Sequence, residues 1–234
     1  SGGRIAIYYQ NATGFNFTNV STFGATGPNA TNAGSGTVYL QGVTRENGEI
    51  TADNNNLTAP SLSTPILGVS STTLTLTNLR VRRGARAKLD STLNLAGTLE
   101  ITGAEFAAGN RILADTTTLT SNAVLTHLAT TAATTFKLDL TARTLSIDAT
   151  SRIDVSGLGF LAAGRPGNLT SRGMTLGFQP GSFDLSGGSY GGLGGSGGSS
   201  VANAVYGDFR NPNEPGSGGG AVAVPGGNGG GRHG

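Results

Sequence analysis

Three aspartates in the second half of the chain are candidates for acid–base chemistry. Asp139, Asp148 and Asp154 lie in or directly after short apolar stretches, so neighbouring strands could bring their carboxylates together. Carboxylate pairs of this kind hydrolyse glycosidic bonds. However, single aspartates at strand ends also cap turns, and the other acidic residues are thinly spread along the sequence. We therefore expect no catalytic residue and no enzymatic activity.

Positive charge is concentrated in the segment LRVRRGARAK, residues 79–88. Its first two arginines alternate with apolar residues, so they project from one face of a strand. One interpretation is a solvated stripe, and the other is a contact for an anionic polysaccharide or an acidic neighbour. Nucleic acid is not expected, because stacking aromatic residues are missing nearby and the net charge is only +2. The candidate contact comprises Arg80, Arg82, Arg83, Arg86 and Lys88.

No cofactor is expected from the remaining reactive residue types. The chain has no cysteine, which excludes disulfides and thiolate metal sites. Its two histidines, His127 and His233, have no acidic partner at a recognisable spacing, so both are interpreted as structural or surface residues. Calcium is the metal that the oxygen-rich segments 52–56 and 206–215 would suit, but neither has the spacing of an EF-hand loop.

Six Asn-x-Ser/Thr sequences are potential acceptors for N-linked glycans. Four of them fall within the first 31 residues, where turn-forming residues dominate. They would form a glycan-bearing edge if the producing cell glycosylates exported proteins. The six acceptors are Asn11, Asn16, Asn19, Asn29, Asn56 and Asn168.

The composition favours strands as the elements that position these residues. Glycine accounts for 40 of 234 residues and charged residues for only 12%, and glycine, threonine, serine and asparagine are poor helix formers. Between residues 66 and 156, short alternating segments are joined by very few residues. LTLTN, LNLAG and ILADT begin at 74, 93 and 112, each nineteen residues after the last. This spacing predicts an all-β chain that forms a right-handed parallel β-helix, or β-solenoid, over residues 1–186.

The last part of the chain, residues 187–234, is glycine-rich, with 19 glycines in 48 positions. A flexible linker is one interpretation. Apolar residues such as Tyr190, Leu193 and Phe209 are interspersed, which a linker does not need. We therefore expect an ordered segment that packs on or caps the solenoid and leads into a following module.

Several motifs together resemble a known type of protein. The motifs are GGGRHG, SGGRIAIYY, AGSGTVYLQ, GEITADN and RIDVSGLGF with the later GGSYGGLGG. They resemble the glycine-rich parallel β-helix segments of very large bacterial surface and secreted proteins, which are adhesin-like in character. The resemblance implies a structural or adhesive role outside the cell, and it transfers no catalytic residue.

These patterns predict a non-enzymatic structural module of an extracellular or cell-surface fibre or adhesin. A solitary solenoid needs polar caps, and none is visible at residue 1, so the expected partner is another copy or a tandem module stacked end to end. Joined head to tail, GGNGGGRHG and SGGRIAIYY read as one glycine-rich approach to a strand. A surface polysaccharide is a further expected partner, while nucleic acid and a membrane span are not. The alternative is a carbohydrate-binding or polysaccharide-cleaving parallel β-helix protein.

Overall fold

The computed structural model describes residues 2–27, 32–43, 45–59, 63–66, 72–197 and 200–232. Within these residues the chain is all-β, with short 3-10 turns at Phe17–Asn19 and Leu176–Phe178. The chain divides into two compact units. The first comprises Ser1–Thr126 and Leu140–Asp154, and the second comprises His127–Asp139 and Val155–Gly234.

The strands that precede residue 155 form two curled, mainly parallel sheets. The larger sheet contains β1 (Arg4–Tyr8), β2 (Thr37–Gly42), β3 (Arg45–Asp53), β5 (Thr73–Leu76), β6 (Asn78–Arg82), β8 (Thr92–Leu95), β9 (Thr98–Thr102), β11 (Ile112–Thr120) and β13 (Leu140–Ile147). The smaller sheet contains β4 (Thr64–Pro65), β7 (Arg86–Leu89), β10 (Glu105–Ala108), β12 (Val124–His127) and β14 (Arg152–Ile153).

The strand register confirms the repeat of nineteen residues seen in the sequence. Leu74 in β5 lies opposite Leu93 in β8, and Leu93 lies opposite Ile112 in β11. Arg86 in β7 lies opposite Glu105 in β10 at the same step. Successive passages of the chain therefore lie alongside one another, and we call each passage a rung. The rungs are β5–β6–β7, β8–β9–β10, β11–β12 and β13–β14.

Alternation of apolar and polar residues decides which face of each strand is buried. On β6, β9 and β11 the inward residues stack in register and are fully buried. They form two columns, Leu79–Leu99–Thr117 and Val81–Ile101–Leu119. Burial of each aliphatic side chain in these columns contributes about 1.5–3 kcal/mol to stability. The intervening polar residues lie on the outer face of the same sheet.

In the first unit, one pair of neighbouring strands departs from the parallel arrangement expected from the sequence. β2 and β3 are antiparallel, with an irregularity between Leu40 and Gly42. Only two residues separate these strands, and a parallel crossover needs a dozen or more, so a hairpin is the connection available to them. The pairs β3–β6, β6–β9 and β9–β11 are parallel.

The second unit contains extended segments that hydrogen-bond to one another, together with the antiparallel pair β15 (Arg172–Thr175) and β16 (Gln179–Phe183). Residues 216–221 lie between three of these segments and donate hydrogen bonds to each of them in turn. Every third N–H of residues 216–221 therefore donates to the same neighbouring segment. Gly216 and Gly219 donate to the carbonyls of Gly230 and Gly227, Ser217 and Gly220 to those of Ser189 and Ser186, and Gly218 and Ala221 to those of Met174 and Ser171. A period of three residues is that of the polyproline II helix, which has no internal hydrogen bonds.

We call these segments the glycine bundle: residues 159–163, 171–174, 186–189, 216–221 and 226–230. Glycine is required where two main chains approach closely. A Cβ atom on the buried Gly229 would lie 1.8 Å from the carbonyl oxygen of Gly216. Glycines from both sides of residue 187 therefore belong to one hydrogen-bonded arrangement within the second unit. The sequence-based boundary between residues 186 and 187 stays a prediction.

Candidate functional site

A groove of about 810 Å³ lies on the outer face of the larger sheet, within the first unit. Its floor is formed by polar residues of β3, β6 and β9 that alternate with the buried core residues. Residues 17–23 form its wall. The charged floor residues are Glu49, Asp53, Arg80, Arg82, Arg83 and Glu100.

Ion pairs connect the three strands of the floor. Arg80 bridges two carboxylates, with its Nη1 2.7 Å from Glu49 Oε2 and its Nε 3.4 Å from Glu100 Oε2. The Nη2 of Arg82 lies 2.7 Å from the same oxygen of Glu100. Arg80 and Glu100 are direct register partners on neighbouring parallel strands, so the strand pairing itself places opposite charges side by side.

A further ion pair closes one end of the groove. The Nε of Arg83 donates to both carboxylate oxygens of Asp53, and its Nη2 lies 2.7 Å from Asp53 Oδ2. The guanidinium carbon also lies 5.4 Å from the centre of the Phe23 ring, a cation–π distance. The groove therefore carries three arginines and three carboxylates, which balance each other in formal charge.

The structure divides the five basic residues that the sequence singled out. Arg80, Arg82 and Arg83 lie together in the groove, whereas Arg86 and Lys88 lie on β7 of the smaller sheet. Arg86 pairs with Glu105, and the side chain of Lys88 is exposed. Four of the five charges are therefore matched by carboxylates of the same chain. Contact with an anionic partner stays a prediction.

Aromatic rings line or support the wall of the groove. The Phe17 ring faces the groove and packs against Tyr9 and Phe15, with 5.0 Å between ring centres in each case. Val38 and Leu40, from β2, add apolar surface beside it. Phe17, Glu49 and Glu100 are site residues that are not predicted from the sequence.

The second candidate surface is the last rung, β13–β14. Leu145 and Ile147 lie opposite the buried residues Thr117 and Leu119, and Ile153 lies opposite the buried Leu125. Their positions continue the core columns, yet they are 49%, 41% and 38% exposed. In the described part of the chain, β13 pairs with β11 alone and β14 with β12 alone. The core columns therefore end on an uncovered rung.

No protein-family model, curated protein or solved structure matches this chain. Within the described ranges, no helix has the length and apolar character needed to cross a membrane. Nor do the described histidine and acidic residues include a group of three or more that could hold a metal ion.

Two carboxylates in the segments considered for calcium already have partners in the same chain. Asp53 binds Arg83 and accepts a hydrogen bond from the backbone N–H of Asn55. Asp208 accepts one from the backbone N–H of Arg210. Such contacts are typical of turns.

The three aspartates considered for acid–base chemistry also have structural contacts. In the second unit, Asp139 Oδ2 lies 3.6 Å from Lys137 Nζ. In the first unit, Asp154 Oδ2 lies 3.2 Å from Arg152 Nε. Asp148 accepts hydrogen bonds from the backbone N–H of Ser121 and from groups of Ser151 and Thr150. These hydrogen bonds, above all the one from Ser121, hold the pKa of Asp148 far below its usual range and so favour its ionised form.

The potential glycan acceptors differ in exposure. Asn11, Asn16, Asn19 and Asn56 are exposed, whereas Asn29 lies outside the described residues. Asn168 is buried, and its Nδ2, the atom that would carry a glycan, donates to the carbonyls of Leu161, Ala162 and Arg172. Glycosylation stays a prediction.

His127 is a buried histidine of the second unit. One ring nitrogen, Nδ1, lies 2.7 Å from the carbonyl oxygen of Leu128, while Nε2 is buried and has no hydrogen-bond partner among the described residues. Burial, assisted by the charge of Arg232, lowers the pKa of His127, although the Leu128 carbonyl acts in the opposite direction. The other histidine, His233, lies outside the described residues.

We expect the free energy of unfolding of the second unit to fall as the pH drops below about 6.5. Below that pH the unfolded chain takes up a proton at His127 that the folded chain resists, whereas above it neither state is protonated. If folding lowers the pKa by one, the free energy of unfolding falls by about 1.4 kcal/mol at low pH. Urea unfolding of wild type and His127→Leu between pH 7.5 and 5 tests this expectation. Equal pH dependence in both proteins would contradict it.

Proposed function

We propose that this chain is a non-enzymatic structural module of an extracellular or cell-surface fibre or adhesin, in which like copies stack end to end. In this proposal the first unit is a right-handed parallel β-helix. The observation that carries it is the last rung, where core columns end on exposed apolar side chains. The resemblance of the sequence motifs to glycine-rich segments of bacterial surface proteins supports the location outside the cell.

The rung geometry supports the β-helix. Consecutive strands β5, β6 and β7 pair with β8, β9 and β10 in the same order, at steps of nineteen or twenty residues. A coil that returns to the same three positions once per repeat has this pattern. The right-handed sense follows the general rule for parallel crossover connections.

A second copy is the occupant that best fits the last rung. Among the described residues, three strands of the larger sheet have one neighbour only: β1 pairs with β2, β5 with β8 and β13 with β11. The edges at β1 and β13 differ from each other, with Ile5 and Tyr8 exposed at one and Leu145 and Ile147 at the other. An edge with unpaired N–H and C=O groups is a template for another strand. Contact between two different edges is head to tail, which generates an open filament when the rotation between copies does not close a ring.

The arrangement of carboxylates favours a structural role over hydrolysis. Glu49, Asp53 and Glu100 line the groove, but each is ion-paired with an arginine. A general acid must donate a proton to the substrate, whereas these carboxylates already accept hydrogen bonds from arginine side chains. This use of the three groove carboxylates fits a structural role better than the paired acid–base roles of glycosidases.

The test is the assembly state of the whole chain as its concentration rises. We expect sedimentation velocity to show growing species and negative-stain micrographs to show rods. Leu145→Lys and Ile147→Lys each place a charge where the next rung would bury it, which should weaken association by about tenfold or more. Because both side chains are exposed within a single copy, their melting temperatures should change little.

Val43→Lys is the matched control, since Val43 is a 70% exposed aliphatic residue of the first unit that lies outside the last rung. It should assemble like wild type. A wild-type chain that stays monomeric at all concentrations would overturn the proposal, and so would a closed dimer that never extends.

A further inference from the structure

We infer that the groove of the first unit binds an uncharged glycan chain. The volume of about 810 Å³ is within the range of ligand-binding clefts. The floor spans three strands, about 10 Å from the first to the third, which leaves room for more than one sugar ring. This site lies on the outer face of the larger sheet and not at its unpaired edges. It is therefore independent of end-to-end stacking.

The charge balance of the groove favours a neutral ligand over a polyanion. The guanidinium groups of Arg80, Arg82 and Arg83 are already paired with carboxylates. An anionic polymer would have to displace those carboxylates, and the Glu49 side chain is only 5% exposed. Leaving a buried charge without its partner is strongly unfavourable. Hydroxyl groups can instead bond to both members of an ion pair without separating them.

The groove retains hydrogen-bonding capacity for hydroxyl groups. A guanidinium has five N–H donors, more than Arg80 and Arg82 use in these ion pairs. The lining also includes Thr51 and the exposed Ser21, whose hydroxyls both donate and accept. Paired donors and acceptors of this kind match the neighbouring hydroxyls of a sugar ring.

The wall supplies a surface for the C–H faces of a sugar. Phe17 and Phe23 both line the groove and are partly exposed. The face of an aromatic ring is electron-rich and attracts the weakly positive C–H hydrogens. Tyr9 and Phe15 hold the Phe17 ring in place, and Arg83 lies over Phe23. Little side-chain ordering is then needed when a ligand binds.

Calorimetric titration of the whole chain with defined hexasaccharides tests the inference. The uncharged probes are cello-, xylo-, manno-, laminari- and maltohexaose, and the anionic probe is hexagalacturonate. We expect at least one uncharged probe to bind with one site per chain, with an affinity that changes little when salt is raised, and we expect it to bind more tightly than hexagalacturonate.

Two substitutions locate the binding in the groove. Phe17→Ala removes the aromatic surface and Glu100→Gln removes the shared partner of Arg80 and Arg82, so each should weaken binding by about tenfold or more. Glu105→Gln is the matched control, because Glu105 pairs with Arg86 outside the groove, and it should retain wild-type affinity. Circular dichroism melts identify any variant that loses its fold, and the two groove variants alter different elements.

Four outcomes would overturn the inference. The first is that none of the five uncharged probes binds, and the second is that hexagalacturonate binds more tightly than all of them. The third is that folded Phe17→Ala and Glu100→Gln variants both keep wild-type affinity. The fourth is shortened sugar products in the titration mixture, which would replace a binding groove by a hydrolytic one and would also contradict the proposed non-enzymatic function.

Discussion

Gly229→Ala is expected to destabilise the second unit by about 3 kcal/mol or more. A Cβ at this position would lie 1.8 Å from the carbonyl oxygen and 2.3 Å from the carbonyl carbon of Gly216. Both are main-chain atoms, so no side-chain rotation can relieve the clash. Moving the two segments apart would strain the hydrogen bonds that join residue 229 to Phe160 and Gly159.

Gly230→Ala is the control, one residue further along the same segment. Nothing lies within 4 Å of a Cβ at this position, and its φ is outside the left-handed region. Alanine there should be neutral or stabilising, by up to about 1 kcal/mol, because it restricts the unfolded chain. Hydrogen exchange followed by mass spectrometry reports each unit separately. Equal protection of the second unit in the two variants would show that close main-chain contact does not hold the glycine bundle together.

The sequence predicts the rungs well because their information is local and repeated. LTLTN, LNLAG and ILADT are spaced by the distance that places Leu74, Leu93 and Ile112 opposite one another. SGGRIAIYY contains β1 and AGSGTVYLQ contains most of β2, each preceded by glycine. Their contact was not foreseen. The strands are neighbours, and a Cβ on Gly36 would lie 1.7 Å from the carbonyl oxygen of Gly3.

The groove could be predicted only in part. Alternation correctly placed Arg80 and Arg82 on an outer face, but their carboxylate partners are distant in sequence, at Glu49 and Glu100. The repeat offered one usable signal, since a step of twenty residues from Arg80 reaches Glu100. The wall at 17–23 has no repeat and no alternation, so nothing in the sequence indicates that it lies over this sheet.

The glycine bundle shows a different limit of sequence reasoning. Composition alone is compatible with both a flexible linker and a packed segment. The period of three residues exists in the choice of hydrogen-bond partners, where Gly216 and Gly219 donate to one segment and Ser217 and Gly220 to another. Because main-chain groups make these bonds, the period of three is not visible in the residue types. The sequence shows only the positions at which a close contact requires glycine.

The second large effect on stability is expected from a substitution in the core of the first unit. Phe106 is fully buried in β10, where it lies opposite the small Ala87 of β7. Phe106→Ala should lower the free energy of unfolding of the first unit by about 3–5 kcal/mol, because it removes buried apolar surface and leaves a cavity. Phe106→Leu keeps most of the volume and should cost less.

Phe15→Ala is the matched control for the loss of an aromatic ring. Phe15 is 52% exposed and packs edge-on against Phe17, so its removal should cost about 1 kcal/mol or less. Urea unfolding monitored by far-ultraviolet circular dichroism gives the free energies, and hydrogen exchange assigns the loss to the first unit. A similar cost for Phe106→Ala and Phe15→Ala would mean that the stacked core of the rungs does not dominate the stability of this unit, and the β-helix proposed for it would lose its physical basis.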